Sequence, residues 1–291
     1  MAEMVKSIYS HLGANGILLE SFPFQSEAVM EAFLCENPVI LSLERLDEPV
    51  VIDRQIQWNK DDKTGRIDML ISFGSEYAAV VELKNGCLTM AHVDQLESYL
   101  GNDLFLKKRA ESLPTDSAVD IKWFGVLVGV DVENKLLLKV LNGDFKTKND
   151  IPIGFIILSR FKGGDQSFIL PIVYPPVLKN KPPLYRFNGI DYKTSQLTHA
   201  MLKDYVEKHF NDVSFSRLVT MLGGIKAGKA IIELWDEKRE ADLEGYYYTR
   251  PSLRIPLHDG NELVVRRWWS LEEINKITSV ASVLNCKFSK V

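Results

Sequence analysis

Residues 65–84 read Gly65-Arg66-Ile67-Asp68-Met69-Leu70-Ile71-Ser72-Phe73-Gly74-Ser75-Glu76-Tyr77-Ala78-Ala79-Val80-Val81-Glu82-Leu83-Lys84. Two apolar runs flank Gly74-Ser75-Glu76, which predicts strands at 66–73 and 77–84 joined by a short turn. Side chains alternate along a strand, so Glu82 and Lys84 share one face while Val81 and Leu83 turn to the core. A three-residue loop sets Asp68 directly opposite Glu82, and directly opposed residues share a face. A two-residue loop would set Asp68 against Val81, on the wrong face. Charges at the end of a buried strand need a reason. Two carboxylates one strand spacing apart raise each other's pKa. A divalent cation removes that repulsion and takes hard oxygen ligands. Lys84 can then orient an attacking water or neutralise charge on a phosphoryl group, and the set suits metal-assisted phosphodiester hydrolysis. The plainer reading of Glu82-Leu83-Lys84, taken alone, is an exposed salt bridge on a strand.

Outward from this pair the order of elements is α/β. Ser26 opens a helix through about Glu36, stopped by Asn37-Pro38. Residues 50–58 alternate as a half-buried strand does, and residues 88–112 read as helix with a break at Gly101-Asn102. Residues 122–130 and 153–160 read as strands, with a short helix near 133–142 between them. Residues 7–24 carry Asn15-Gly16, a hairpin-turn signal. The result is a mixed central sheet flanked by helices. Five of the 12 prolines fall between Pro171 and Pro183. They exclude helix and central strand, and predict an extended connector between domains at 1–175 and 184–291. The second domain reads as a smaller α+β unit. Its predicted helices cover 194–210, a stretch from Phe215, and Leu271–Leu284. Its short strands are Tyr246–Tyr248, Ser252–Leu257 and Glu262–Trp268, the last two joined by a turn at His258-Asp259-Gly260.

These residues resemble the PD-(D/E)xK nuclease superfamily, which has the restriction-endonuclease-like fold. Ser26-Glu27, Asn37-Pro38, Gly65-Arg66-Ile67-Asp68, Val80-Val81-Glu82-Leu83-Lys84 and Gln95 with Tyr99 are similar to the catalytic domains of NucS-type endonucleases, over about residues 25–170. The resemblance implies a Mg²⁺- or Mn²⁺-dependent endonuclease that hydrolyses DNA, in repair or in defence against foreign DNA. It implies that Asp68 and Glu82 bind the metal, that Glu27 supports the metal or its water, and that Lys84 is the catalytic lysine. Gln95 matches the family's frequent glutamine position. Ile67 stands where the family often has the proline before the aspartate. Many enzymes of this fold cut duplexes as dimers, so a homodimer is an expectation. The rival readings are a nucleic-acid-binding protein with little catalysis and a protein-interaction scaffold.

The supporting residues have plainer readings too. Glu27 suits the first turn of a helix by its charge alone. Glu31, one turn on, is the stand-in if Glu27 points away. Gln95 and Tyr99 share a helix face and could simply pack together. Arg66 reads first as a strand-edge salt bridge and second as a phosphate contact. His92 reads as a surface histidine. Lys107-Lys108-Arg109 suits either a DNA backbone or a solvated helix end. Arg266, Arg267, Trp268 and Trp269 combine charge with flat apolar area, suited to bases or a protein interface. The alternative there is strand alternation, with Trp268 buried and Arg267 solvated. Gly223–Lys229 lacks the phosphate-loop spacing, since Ala230 follows Lys229.

Composition sets the outer bounds. The chain is 46% hydrophobic and 25% charged over 291 residues, which excludes a disordered polyelectrolyte and allows two cores. Its net charge of −4 is uneven. Residues 1–175 hold 17 Lys/Arg against 25 Asp/Glu, and residues 176–291 hold 18 against 14. A polyanion is therefore drawn more to the second half. Cys35, Cys87 and Cys286 are far apart and odd in number, and read as reduced thiols with no zinc pattern. No apolar run has the ~20 residues of a membrane helix, and the opening residues predict no secretory signal. A soluble, cytoplasmic protein is expected.

Overall fold

The computed structural model describes residues 18–60, 63–111, 113, 121–142, 145–178, 182–223, 225, 230–244, 246–267, 269 and 273–291. The Asn15-Gly16 hairpin lies outside the described residues.

The main sheet is α/β and mixed. Its strands are β1 (Glu20–Ser21), β2 (Pro49–Lys60), β3 (Lys63–Phe73), β4 (Tyr77–Leu83), β6 (Lys122–Gly129), β8 (Ile153–Gly163) and β9 (Gln166–Tyr174). Its order is β1-β8-β6-β4-β3-β2, with β9 paired to β8. The β4–β6 and β6–β8 pairs are parallel, and the β2–β3, β3–β4 and β8–β9 pairs are antiparallel. A two-stranded parallel pair, β5 (Cys87–Leu88) with β7 (Asp131–Val132), lies beside it.

Helices cover both faces, which is why β4 is buried along its whole length. On one face α1 (Glu27–Glu36) packs Met30 and Leu34 against Met69, Ile71, Val81 and Leu83. Its start is fixed by Ser26, whose hydroxyl accepts from the Val29 N–H, and its end by Asn37. On the other face lie α2 (Met90–Leu100), α3 (Asp103–Ala110) and α4 (Asn134–Leu141). Leu96, Leu100, Leu106 and Leu136 there meet Leu70, Val80, Leu127 and Phe155. The break between α2 and α3 falls at Gly101-Asn102, where the Asn102 side chain accepts from the Phe105 N–H and restarts the helix.

The proline-rich stretch is not wholly a connector. Pro171 lies inside β9, opposite Leu158. Among the described residues β9 pairs only with β8, so it is an edge strand, where a missing N–H is tolerated. Pro175, Pro176, Pro182 and Pro183 lie outside strands and helices.

Residues 185–288 build a separate apolar cluster, with none of its members in the clusters of the main sheet. Its elements are β10 (Tyr185–Phe187), β11 (Ile190–Tyr192), α5 (Thr194–Lys208), α6 (Phe215–Leu222), β12 (Ile232–Leu234), α7 (Glu240–Glu244), β13 (Ile255–Pro256), β14 (Glu262–Val265), α8 (Ile274–Val283) and β15 (Ser289–Lys290). They form two three-stranded sheets, β11-β10-β15 and β12-β14-β13. The strand expected at Tyr246–Tyr248 is a single bridge, Tyr247 to Arg266. The one expected at Ser252–Leu257 is a 3₁₀ turn at Pro251–Leu253 followed by the short β13. The turn at His258-Asp259-Gly260 is present, with Gly260 at φ +82°. The two cores meet through polar contacts: Ser195 donates to the Asp47 carboxylate, and Arg250 lies 3.4 Å from Glu48. Among the described residues no helix is long and apolar enough to cross a membrane.

Candidate active site

The register of β3 on β4 decides the site. Met69 faces Val81 and Leu70 faces Val80, across a loop with Gly74 at φ +71°. Continued by one residue, that register sets Asp68 opposite Glu82. Both are buried, Glu82 with 1% of its surface exposed. Asp68 Oδ2 accepts a 2.8 Å hydrogen bond from the Leu83 N–H, which ties the end of β3 to β4. The Lys84 ammonium donates to Glu82 Oε1 at 2.6 Å. Glu27 comes from the first turn of α1, with its Oε2 4.0 Å from Lys84 Nζ. Asn85 holds that helix start in place: its N–H donates to Glu27 at 3.4 Å and its amide to the Phe24 carbonyl at 2.9 Å. Asp68, Glu82, Lys84, Glu27 and Gln95 all line one open cleft of about 720 Å³.

The electrostatics follow from burial. Desolvation, then the neighbouring Asp68, pushes the Glu82 carboxyl up to about 7 against the opposing pull of Lys84. Burial likewise raises Asp68, opposed by the Leu83 N–H and by Lys84. Burial alone would lower Lys84, but its hydrogen bond to Glu82 and the nearby carboxylates outweigh that and leave it raised.

The donor set fits a cation in part. Among the described residues Glu82 Oε2 is buried with no hydrogen-bond partner, a state that normally calls for one. Asp68 has one oxygen committed to Leu83, and Lys84 occupies only the other oxygen of Glu82. Among the described residues no three His, Cys, Asp or Glu side chains already form a ligand cluster. Two carboxylates with solvent ligands are the set on offer, as Mg²⁺ commonly uses.

Several surrounding residues escape sequence reasoning. Gln55 stands on β2 between Arg54, which faces Met69, and Ile56, which faces Ile67, so it falls level with Asp68. Its φ is +53°, rare for a residue with a side chain, and its amide donates to the Glu31 carboxylate. Glu31 is thus turned to β2 and does not line the cleft. Gln95 donates to the Tyr99 hydroxyl at 2.8 Å, which donates to the Arg66 carbonyl at 3.0 Å. Gln95 and Tyr99 are therefore a polar brace on β3 as well as a packing pair. The expected strand-edge salt bridge of Arg66 is not formed among the described residues. His92 is a capping residue of α2, its Nδ1 accepting from the Thr89 N–H at 3.1 Å. Arg109 at the end of α3 pairs with Asp53 at 3.1 Å.

The aromatic-basic run of the second half is folded inward. Arg266 is 2% exposed and pairs with Glu273 at 3.4 Å. Arg267 lies over the Tyr248 ring at 5.7 Å, and its guanidinium reaches the Glu48 carbonyl. Trp269 is buried and donates to the Arg266 carbonyl. Arg266 and Trp269 thus carry the core role that the alternation reading gave to Trp268, which lies outside the described residues.

No known protein family, curated protein or solved structure matches the chain.

Proposed function

We propose that this cleft is a metal-dependent nuclease site of restriction-endonuclease-like type, hydrolysing DNA phosphodiester bonds. The observation that carries the reading is the Asp68–Glu82 pair: two buried carboxylates in one cleft beside a lysine, one oxygen unpartnered among the described residues. Such a cluster is costly unless a positive group joins it. Asp68 and Glu82 would hold Mg²⁺ or Mn²⁺, with Glu27 supporting from α1. A bound divalent cation supplies a lowered water pKa and stabilises charge on a phosphoryl oxygen.

The chain's own residues do the rest. Lys84 keeps its proton, because the surrounding carboxylates favour the charged form. It can donate a hydrogen bond to the attacking water or to a non-bridging phosphate oxygen. Glu27, at 4.0 Å, biases the lysine toward the open side of the cleft. Gln95 and Tyr99 fix the backbone of Arg66, two residues before Asp68, and so hold the first carboxylate in place. A role in repair or in defence against foreign DNA is the biological setting of this reading.

One observation favours a binding-only protein: Lys84 already neutralises one oxygen of Glu82. The test is a cleavage assay on single-stranded, duplex, branched and mismatched DNA with Mg²⁺ and Mn²⁺. Cleavage of at least one form, lost in Asp68→Ala, supports the nuclease. Binding without cleavage of any form leaves the binding protein.

A further inference from the structure

Arg66 brings an uncommitted positive charge to a cleft whose other charge is mostly acidic. Its exposed side chain lines the cleft with Asp68, Glu82 and Glu27. Lys84, the neighbouring cation, already gives one of its donors to Glu82 at 2.6 Å, whereas Arg66 has given none to a described residue. Among the described residues the Arg66 guanidinium has no ion pair and no hydrogen bond, whereas Arg109, Arg186, Arg254 and Arg266 each hold a carboxylate. The bond made at Arg66 is on its carbonyl, which accepts from the Tyr99 hydroxyl at 3.0 Å. The backbone is therefore braced, while the side chain has no partner among the described residues.

Gln57 is its direct partner across the β2–β3 ladder, is also exposed, and lines the same cleft. Beyond Met69 opposite Val81, β3 is no longer paired with β4. From there β2 and β3 run on as a two-stranded ribbon beside the carboxylates. A guanidinium offers five N–H donors in a planar fork and a glutamine amide two more. That fork matches the oxygens of a phosphate. A polyanion approaching Asp68, Glu82 and Glu27 needs such a counter-charge to be admitted at all.

We propose that Arg66, with Gln57 beside it, is a phosphate clamp. It grips a backbone phosphate of the nucleic-acid strand next to the one facing Asp68 and Glu82. The clamp rests on the nuclease reading for its place in the reaction, but its binding role can be tested without cleavage.

The experiment uses the full chain in EDTA with fluorescently labelled single-stranded and duplex oligonucleotides, and follows anisotropy across a salt series. Arg66→Ala is expected to weaken binding about tenfold and to reduce the slope of log K against log salt by about one, the loss of one phosphate contact. Arg66→Lys keeps the slope and still binds more weakly, because the point charge cannot match the fork. Gln57→Ala weakens binding with the slope unchanged. Arg186→Ala, a paired arginine elsewhere, serves as the control and changes neither. Equal melting temperatures for Arg66→Lys and the wild type show that the clamp, not the fold, was altered. In single turnover with Mn²⁺, Arg66→Ala should be slow at low DNA and recover at saturating DNA. Wild-type affinity and slope in Arg66→Ala overturn the clamp, as does a wild-type chain that binds no oligonucleotide. If the wild type cleaves nothing while Arg66→Ala still loses affinity and slope, the nuclease reading fails and the clamp stands.

Discussion

The Lys84 ammonium sits 2.6 Å from one oxygen of Glu82, while the other oxygen of that buried carboxylate has no partner among the described residues. Half of the carboxylate is thus satisfied inside the chain and half is left for something else. A divalent cation that joins Asp68 and Glu82 should stabilise the fold by mass action. Adding Mn²⁺ or Mg²⁺ at millimolar levels should raise the melting temperature of the wild type. The same addition should leave Asp68→Ala unmoved, and calorimetric titration should show the matching loss of binding.

Glu82 also predicts a pH dependence. Its pKa in the folded chain is raised to about 7 by burial and by Asp68, from 4.5 when unperturbed. The folded state therefore holds this proton more tightly than the unfolded state. Stability from this group is intact below about pH 4.5 and falls as pH rises to about 7, by up to ~3 kcal/mol without metal. Glu82→Gln removes the buried charge. Chelated and at pH 8, it should melt at a higher temperature than the wild type, and the gap should close by pH 5. A wild type whose stability rises between pH 5 and 8 relative to Glu82→Gln would contradict this.

Gln55 holds a left-handed backbone level with Asp68, and its amide reaches Glu31 on α1. Gln55→Gly relieves the backbone but leaves Glu31 without that donor, whereas Gln55→Ala keeps the strain and loses the bond. Denaturant melts should place the alanine variant about 1 kcal/mol below the glycine variant. The reverse order would mean that the backbone there is unstrained.

Arg266 belongs to the fold of the second half. It is buried with Glu273 at 3.4 Å and lies 5.0 Å from the Trp269 ring. Arg266→Glu places two carboxylates together in an apolar setting, and removing one partner of a buried pair costs about 3–5 kcal/mol. The expected result is a large loss of stability. An Arg266→Glu chain of unaltered stability with weakened DNA binding would return this residue to a nucleic-acid surface.

The centre of the molecule was readable because its punctuation is local. Gly74-Ser75-Glu76 fixes a three-residue loop, and with it the facing of Asp68 and Glu82. Ser26 and Asn37 bracket α1, and Gly101-Asn102 divides α2 from α3. What was not readable depends on pairings far apart in sequence. Pro171 is tolerated in β9 because, among the described residues, nothing pairs on its outer side. The parity of the Arg266–Trp269 run is set by β14 lying between β12 and β13, which turns Arg266 inward. The facing of Gln57 and Arg66 depends on a register shift in β2 between Val51 and Asp53, which no turn residue announces.

Gly125 links the core to the cleft through α2, on the sheet face that Glu82 shares with Val80. A Cβ there would lie 2.7 Å from Leu96 Cδ2 and 2.9 Å from Leu100 Cδ1. Both leucines are fully buried on α2, so neither can swing into open space. Gly125→Ala should therefore cost about 1–3 kcal/mol by overpacking, and Gly125→Val more. The strain has an outlet, which is to push α2 off β6. That helix carries Gln95 and Tyr99, and Tyr99 braces the Arg66 carbonyl beside Asp68. The carboxylates themselves sit on β3 and β4, which Gly125 does not displace directly. At a temperature where Gly125→Ala stays folded, metal binding should persist while single-turnover cleavage drops severalfold. Full cleavage in a destabilised Gly125→Ala would show that the position of α2 does not matter to the site. Loss of metal binding would show that the shift reaches Asp68 itself.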